Sequence, residues 1–386
     1  MNKIINILKN NPAVKTLSAG KGAIVTNNAS DEAYLIAGAF SLHKKTMFII
    51  KENQYQAMQL YHYLKDILDD VYYYPADESM RVESIAYSYE LLGERINTMY
   101  ALTSGKPIIC IAHMHSLVHY ISDPKIFASS ILEIKVGDII DPKELREKLI
   151  YMGYQITQRV DSPFYMAKRG GVMDVYSIQY DDPIRIEFFD DEIEEIAFFN
   201  KDTQRRAGKL DHAILLPATD MQYNDTHLDD VINKITSLKE DMECEMPEEL
   251  DSTLVLDIES LKAHDYNPRI YQYMSLFGSY SILDYHPDAL IVTGSYQGIV
   301  NRYRDFSIES YQYFTEIQKI GQMIKGLKLI QDPQILLKKR HVDMIPFKEN
   351  DKQVAFNTRP IVMSMMSEKV FVDQLKDYLI FLLHLY

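Results

Sequence analysis

Four short, almost unbroken apolar runs within the first 120 residues, at 23–26, 46–50, 71–74 and 107–112, alternate with longer amphipathic segments that begin near Asp31, span 55–67 and run through 91–102. Apolar runs without polar alternation suit strands buried on both faces, and the interleaved helical periods supply covering layers. The pattern predicts βαβ units and a parallel sheet. From about Leu132 the style changes. A helix is expected over 141–151, where Asp141-Pro142 offers an N-cap and a first-turn proline. Short alternating segments follow at 155–160, 164–168, 171–177, 184–189 and 194–199, divided by Gly170-Gly171, Asp181-Asp182-Pro183 and Asp190-Asp191. Alternation with such turn chemistry predicts an antiparallel sheet in a separate α+β domain inserted into the first. Beyond Leu216-Pro217 an acidic helical stretch (227–249) leads back to the buried-strand style at 281–284 and 289–293, and then to helical sequence through about Lys325.

Length and charge narrow the function. At 386 residues the chain exceeds one ordinary core, and 47% hydrophobic with 25% charged residues leaves nothing that resembles a disordered or low-complexity protein. No segment approaches 18 uncharged apolar residues, and the run at 4–8 is too short for a signal-peptide core, so a cytoplasmic protein without membrane contact is expected. Cys110 and Cys244 are too few for a disulfide framework and too far apart for a metal knuckle, which predicts plain thiols. A formal net charge of −14 argues against a chain that grips a nucleic-acid backbone, since that affinity comes from clustered Lys and Arg. Local basic pairs, Lys168-Arg169 and Arg205-Arg206, point instead to protein contacts.

The run Lys168-Arg169-Gly170-Gly171-Val172-Met173-Asp174-Val175, followed by Pro183 through Glu194 (PIRIEFFDDEIE), resembles the inserted domain shared by UvrB and the bacterial transcription-repair coupling factors. Residues 199–205 and 215–218 are similar to the coupling-factor version, and Leu283-Asp284-Tyr285-His286-Pro287-Asp288 is similar to the UvrB run before its ATPase acidic motif. Together the matches cover roughly 20–325. The resemblance implies a degenerate RecA/P-loop-like α/β domain, split as 1–120 and 223–325, with an inserted UvrA-binding α+β domain at 121–222. A linker at 326–355, polar from 335, and the beginning of a third small α/β unit at 356–386 complete the expected plan.

Departures from UvrB carry as much information. A P-loop needs glycines whose N–H groups cradle phosphate, a Lys for the terminal phosphates and Ser or Thr for magnesium. After the strand at 23–26 stands Asn27-Asn28-Ala29-Ser30-Asp31-Glu32, without glycine or lysine and with two carboxylates that would repel phosphate. Where UvrB has its Asp-Glu pair, this chain has Thr293-Gly294-Ser295-Tyr296. Both halves of the ATPase are missing, so no catalytic residue and no cofactor are expected in this chain. Residues 76–90 are also too few to carry UvrB's damage-probing hairpin.

The family resemblance places the UvrA contact on Arg169, Arg185 and Phe189, with Gly170, Glu187 and Arg205 supporting it. An Arg offers a planar fork to carboxylates, and an exposed aromatic beside it is an interface anchor. Strand alternation puts Ile184, Ile186 and Phe188 on one face and Arg185, Glu187 and Phe189 on the other. The alternative is internal: Arg185 pairs with Glu187 or Asp174, and Phe189 is core. His113, His115 and His119 follow a strand's carboxyl edge, but without a nearby Cys or paired carboxylate they do not predict a metal site. Asp190 through Glu195 is expected to be a solvated hairpin turn. The function implied is docking of UvrA, with RNA polymerase, DNA, ATP and Mg engaged through translocase segments absent here. The alternatives are a divergent UvrB-type ATPase or helicase and a DNA-binding repair subunit.

Overall fold

Each N-terminal apolar run forms a strand in the computed structural model, which describes residues 8–26, 28–76, 88–240, 242, 244–338, 341–348 and 353–356. These strands are β1 (Gly22–Thr26), β2 (Met47–Lys51), β3 (Val71–Tyr73) and β4 (Ile109–His113). All pairings in their sheet are parallel, and every residue of β2 and β4 is buried, because helices cover both faces. Helices Pro12–Ser18, Ala29–His43 and Gln54–Lys65 enclose one core with Ile24, Ile49 and Val292. Helices Tyr89–Thr103 and Tyr296–Lys319 close the other over Phe48, Ile50 and Cys110. Asn11, Asn28, Asn53 and Ser88 start their helices by accepting a hydrogen bond from a first-turn N–H, which satisfies donors that the helix itself leaves open.

The alternating region folds into β5 (Leu132–Lys135), β6 (Gln155–Ile156), β7 (Tyr165–Arg169), β8 (Val172–Val175), β9 (Ile184–Phe189), β10 (Glu192–Phe199), β11 (Arg206–Leu210) and β12 (His212–Leu215). Six of them form one sheet in the order β11-β10-β9-β8-β7-β6, antiparallel except at β6 and β7. Strands β5 and β12 pair separately. Helix Pro142–Tyr151 begins at the Asp141 cap and packs Leu145 and Leu149 in the same core as Ile184, Ile186 and Phe188. Where the chain enters and leaves this unit, Ser122 N–H donates to the Asp220 carbonyl (2.9 Å) and Gln222 N–H to Ser122 Oγ (2.7 Å). Arg95 Nε holds Asp220 Oδ2 at 2.6 Å, tying the junction to helix Tyr89–Thr103.

Several expectations need correction. The segment expected to be a linker contains β14 (His341–Ile345), which lies between β1 and β13 (Leu290–Gly294) inside the parallel sheet. Next comes β15 (Val354–Phe356), which pairs with β1, so Phe356 belongs to the first sheet and does not open a third unit. The strand β14 hides because Asp343 and His341 break its apolar run, and Asp343 is tolerated there only because neighbouring residues hydrogen-bond it. Residues 357–386 lie outside the described residues. Residues 281–284, expected in strand style, instead fall in a 3₁₀ turn, Ile282–Tyr285, in which Ser281 and Asp284 cap each other. The strand expected at 155–160 stops at Ile156. Helices Leu228–Glu240 and Pro247–Ala263 do not extend the sheet; they build a helical unit around Tyr223 and Tyr273. Its buried Asp257 accepts hydrogen bonds from Arg269, Gln272 and Tyr273.

Candidate functional site

The carboxyl ends of β1, β2 and β13 meet the start of helix Ala29–His43, the place where a nucleotide-binding relative of this fold would hold phosphate. Here the chain fills that place with its own groups. Asn28 Oδ1 accepts from Asp31 N–H (2.9 Å), and Ala29 and Ser30 form the first turn. Asn27 lies outside the described residues. Lys51, at the end of β2, donates through Nζ to Glu32 Oε2 at 2.8 Å, and Thr26 Oγ1 donates to Glu32 Oε1 at 3.3 Å. The ion pair is buried, with side-chain exposures of 8% and 11%. A Cβ at Gly294 would run into the Lys51 side chain, which accounts for a glycine at that position. Thr293 Oγ1 and Tyr296 N–H both donate to Asp343 Oδ1 at 2.8 Å, while burial holds the Asp343 carboxyl above the usual range. Ser295, at φ 68°, caps helix Tyr296–Lys319 by accepting from Gly298 N–H. Each donor or acceptor named here is thus satisfied within the protein.

The histidines beside this edge are packing residues. His113 ends β4 with its ring stacked over Tyr73 at 6.4 Å, and His115 meets Phe306 edge-on at 4.5 Å. Burial pushes His113 and His119 down to about 3, so both are neutral at neutral pH. Among the described residues no group of three or more His, Cys, Asp or Glu side chains is placed to hold a metal ion.

The second candidate lies on the outer face of the inserted sheet. Strand β9 buries Ile184, Ile186 and Phe188 and turns Arg185, Glu187 and Phe189 outward. Phe189 is 69% exposed. It precedes the β9–β10 hairpin, whose Asp190 adopts a left-handed φ of 54°, and the acidic run 190–195 supplies this turn and the start of β10. Arg185 is engaged: Nε and Nη2 donate to Asp174 Oδ1 and Oδ2 at 2.7 and 2.8 Å, and its guanidinium lies 4.6 Å from the centre of the buried Phe199 ring. That bidentate bond raises its already high pKa further. The internal alternative therefore holds for Arg185, and fails for Phe189. Glu187 pairs with Arg206, which also reaches Glu195 at 2.7 Å, where Lys209 joins it at 2.7 Å.

Arg169 is exposed at the end of β7 and donates to the Gln158 carbonyl. Gly170 takes φ 59° in the two-residue turn to β8, and a Cβ on Gly171 would press on the Phe188 carbonyl at 3.0 Å, so the turn favours both glycines. Arg205 is exposed in the turn before β11, with its N–H on Thr203 Oγ1. One sheet face thus gathers Arg169, Arg185, Glu187 and Phe189, with Arg205 at its rim. The roles of Lys51 and Phe199 escaped the sequence because each depends on a partner remote in the chain; neither carries a local motif.

Residues 132–221 match the model of the family described as the UvrB interaction domain. Over 295 residues the chain is 28% identical to the transcription-repair-coupling factor of Bacillus subtilis (strain 168), covering 74% of this chain and 25% of that protein. It is also 28% identical over 317 residues to that of Staphylococcus haemolyticus, covering 78% and 26%, and 25% identical over 311 residues to that of Staphylococcus aureus (strain USA300), again 78% and 26%. The chain spans about a quarter of the length of these relatives. A parallel-sheet domain, an inserted antiparallel sheet that matches one family model, and similarity over three quarters of the residues agree: the chain is similar to about a quarter of the transcription-repair-coupling factors, and its residues 132–221 match the UvrB interaction domain.

Proposed function

We propose that this module docks UvrA through the outer face of its inserted sheet, without nucleotide, and so links repair to transcription in a longer protein. The observation that carries the proposal is Phe189, a large apolar side chain left in solvent on an otherwise charged strand face. Around it lie the exposed Arg169 and the ion-paired Glu187, Arg206, Glu195 and Lys209, a rim of both charges that fixes a partner's register. Arg185 takes a positioning role in this scheme, because its fork is spent on Asp174. Titration of UvrA into the chain by calorimetry should give binding at micromolar or tighter affinity. Phe189→Ala should weaken it by about 1–3 kcal/mol with unchanged folding. Absent binding by the folded chain, or full affinity in the variant, would remove Phe189 from the interface.

The nucleotide-binding alternative would need a lysine from an unexpected position, and Lys51 stands at the right sheet edge. Its ammonium is tied to Glu32, and the helix start beside it bears Asp31 as well. The proposal therefore expects no saturable signal when fluorescent ATP with magnesium is titrated to millimolar levels; a saturable response would restore the ATPase reading. Contact with RNA polymerase, and translocation on DNA at the expense of ATP, fall in this scheme to segments beyond these residues. No helix among the described residues is long and apolar enough to cross a membrane.

A further inference from the structure

Beyond the end of β11, whose last paired residue is Leu210 opposite Ile196, the edge of β10 is taken over by a different part of the chain. Gly137 N–H donates to the Ile193 carbonyl (2.8 Å), Ile193 N–H to the Asp138 carbonyl (2.9 Å) and Ile140 N–H to the Asp191 carbonyl (2.7 Å). This ladder sets Ile139 directly opposite Glu192, whose other neighbour is Phe189. Paired residues of an antiparallel ladder project to the same face, so Phe189, Glu192 and Ile139 form one row. Ile139 is 65% exposed, nearly as much as Phe189.

We propose that Ile139 is a second apolar anchor of the docking face, an inference that rests on the UvrA-docking role given to this domain. Two strand spacings separate the anchors by about 10 Å, a distance one partner surface spans with two adjacent hollows. The segment is fastened at both ends, by Asp138 Oδ2 accepting from Lys135 N–H (2.7 Å) before Ile139 and by Asp141 capping helix Pro142–Tyr151 after it. An isoleucine held in solvent by a fixed backbone loses little freedom on binding, which is the condition for an effective contact. The occupant proposed is UvrA: apolar hollows receive Phe189 and Ile139, a basic group meets the exposed Glu192 between them, and an acidic group meets the exposed Arg169 on β7.

The test is calorimetric titration of UvrA into the whole chain and into Ile139→Ala, Ile139→Asp, Phe189→Ala and Leu256→Ala, the last being an exposed apolar residue on helix Pro247–Ala263 that serves as a control. Ile139→Ala should raise Kd about tenfold, and Ile139→Asp further, with Leu256→Ala unchanged and all melting curves superimposed. If Phe189→Ala weakens binding while both Ile139 variants keep wild-type affinity, the second anchor is overturned and the docking reading stands. If the folded wild-type chain does not bind UvrA at all, the docking reading falls and takes this inference with it.

Discussion

Arg185→Ala is expected to lower the unfolding free energy by about 3 kcal/mol, a loss measurable as a shifted urea midpoint at unchanged slope. Asp174 is 4% exposed at its side chain, and Arg185 is the partner that saturates both of its oxygens. Removal of the guanidinium would strand a carboxylate between β7 and β9 and also take away the cation above Phe199. The figure sits at the low end for a broken buried pair because Arg185 retains 19% exposure, through which water can enter. Asp174→Ala combined with Arg185→Ala should recover a large part of the loss, since no charge is then left alone. A single variant as stable as wild type would show that the pair contributes nothing. For docking, a weakened Arg185→Ala variant is informative only beside its own stability curve, whereas Phe189→Ala reports on the surface directly.

Glu32→Ala should be about as costly, again about 3 kcal/mol, and costlier than Lys51→Met. The asymmetry follows from what each change leaves behind. Without Glu32 the ammonium of Lys51 is buried at the sheet edge with its carboxylate partner gone. Without Lys51 the Glu32 carboxylate keeps the Thr26 hydroxyl and the positive end of helix Ala29–His43. Glu32→Ala combined with Lys51→Met should recover a large part of the loss, because the edge then holds no lone charge. Chemical denaturation of the four proteins as a cycle decides it; equal costs for the two single changes would mean that solvent already reaches the pair.

Much of the architecture was legible in order along the chain. Unbroken apolar runs announced β1 to β4, and alternation announced the inserted sheet, because each pattern reflects how many faces of a strand are covered. Asp141-Pro142 marked a helix start that the structure keeps. The outward direction of Phe189 followed from the period of two along β9 alone. Strand β14 is not legible in the sequence because its polar positions, His341 and Asp343, only make sense once Thr293 and Tyr296 are beside them. The partner of Arg185 is hidden for the same reason: its choice of Asp174 over Glu187 depends on the register of β8 against β9 and on Arg206 arriving from β11 to take Glu187.

The sequence by itself determined the local and the patterned: the strands β1 to β4, most strands of the inserted sheet, the outward face of β9, and which glycines and lysine a nucleotide loop would lack. Only the tertiary structure decided the pairings, namely that Lys51 closes on Glu32, that Arg185 is spent on Asp174, and that Ile139 stands in one row with Phe189. Periodicity is a property of neighbours along the chain, whereas a salt bridge or a shared surface row joins residues 11 to 50 positions apart, and their distance is set by sheet register and core packing.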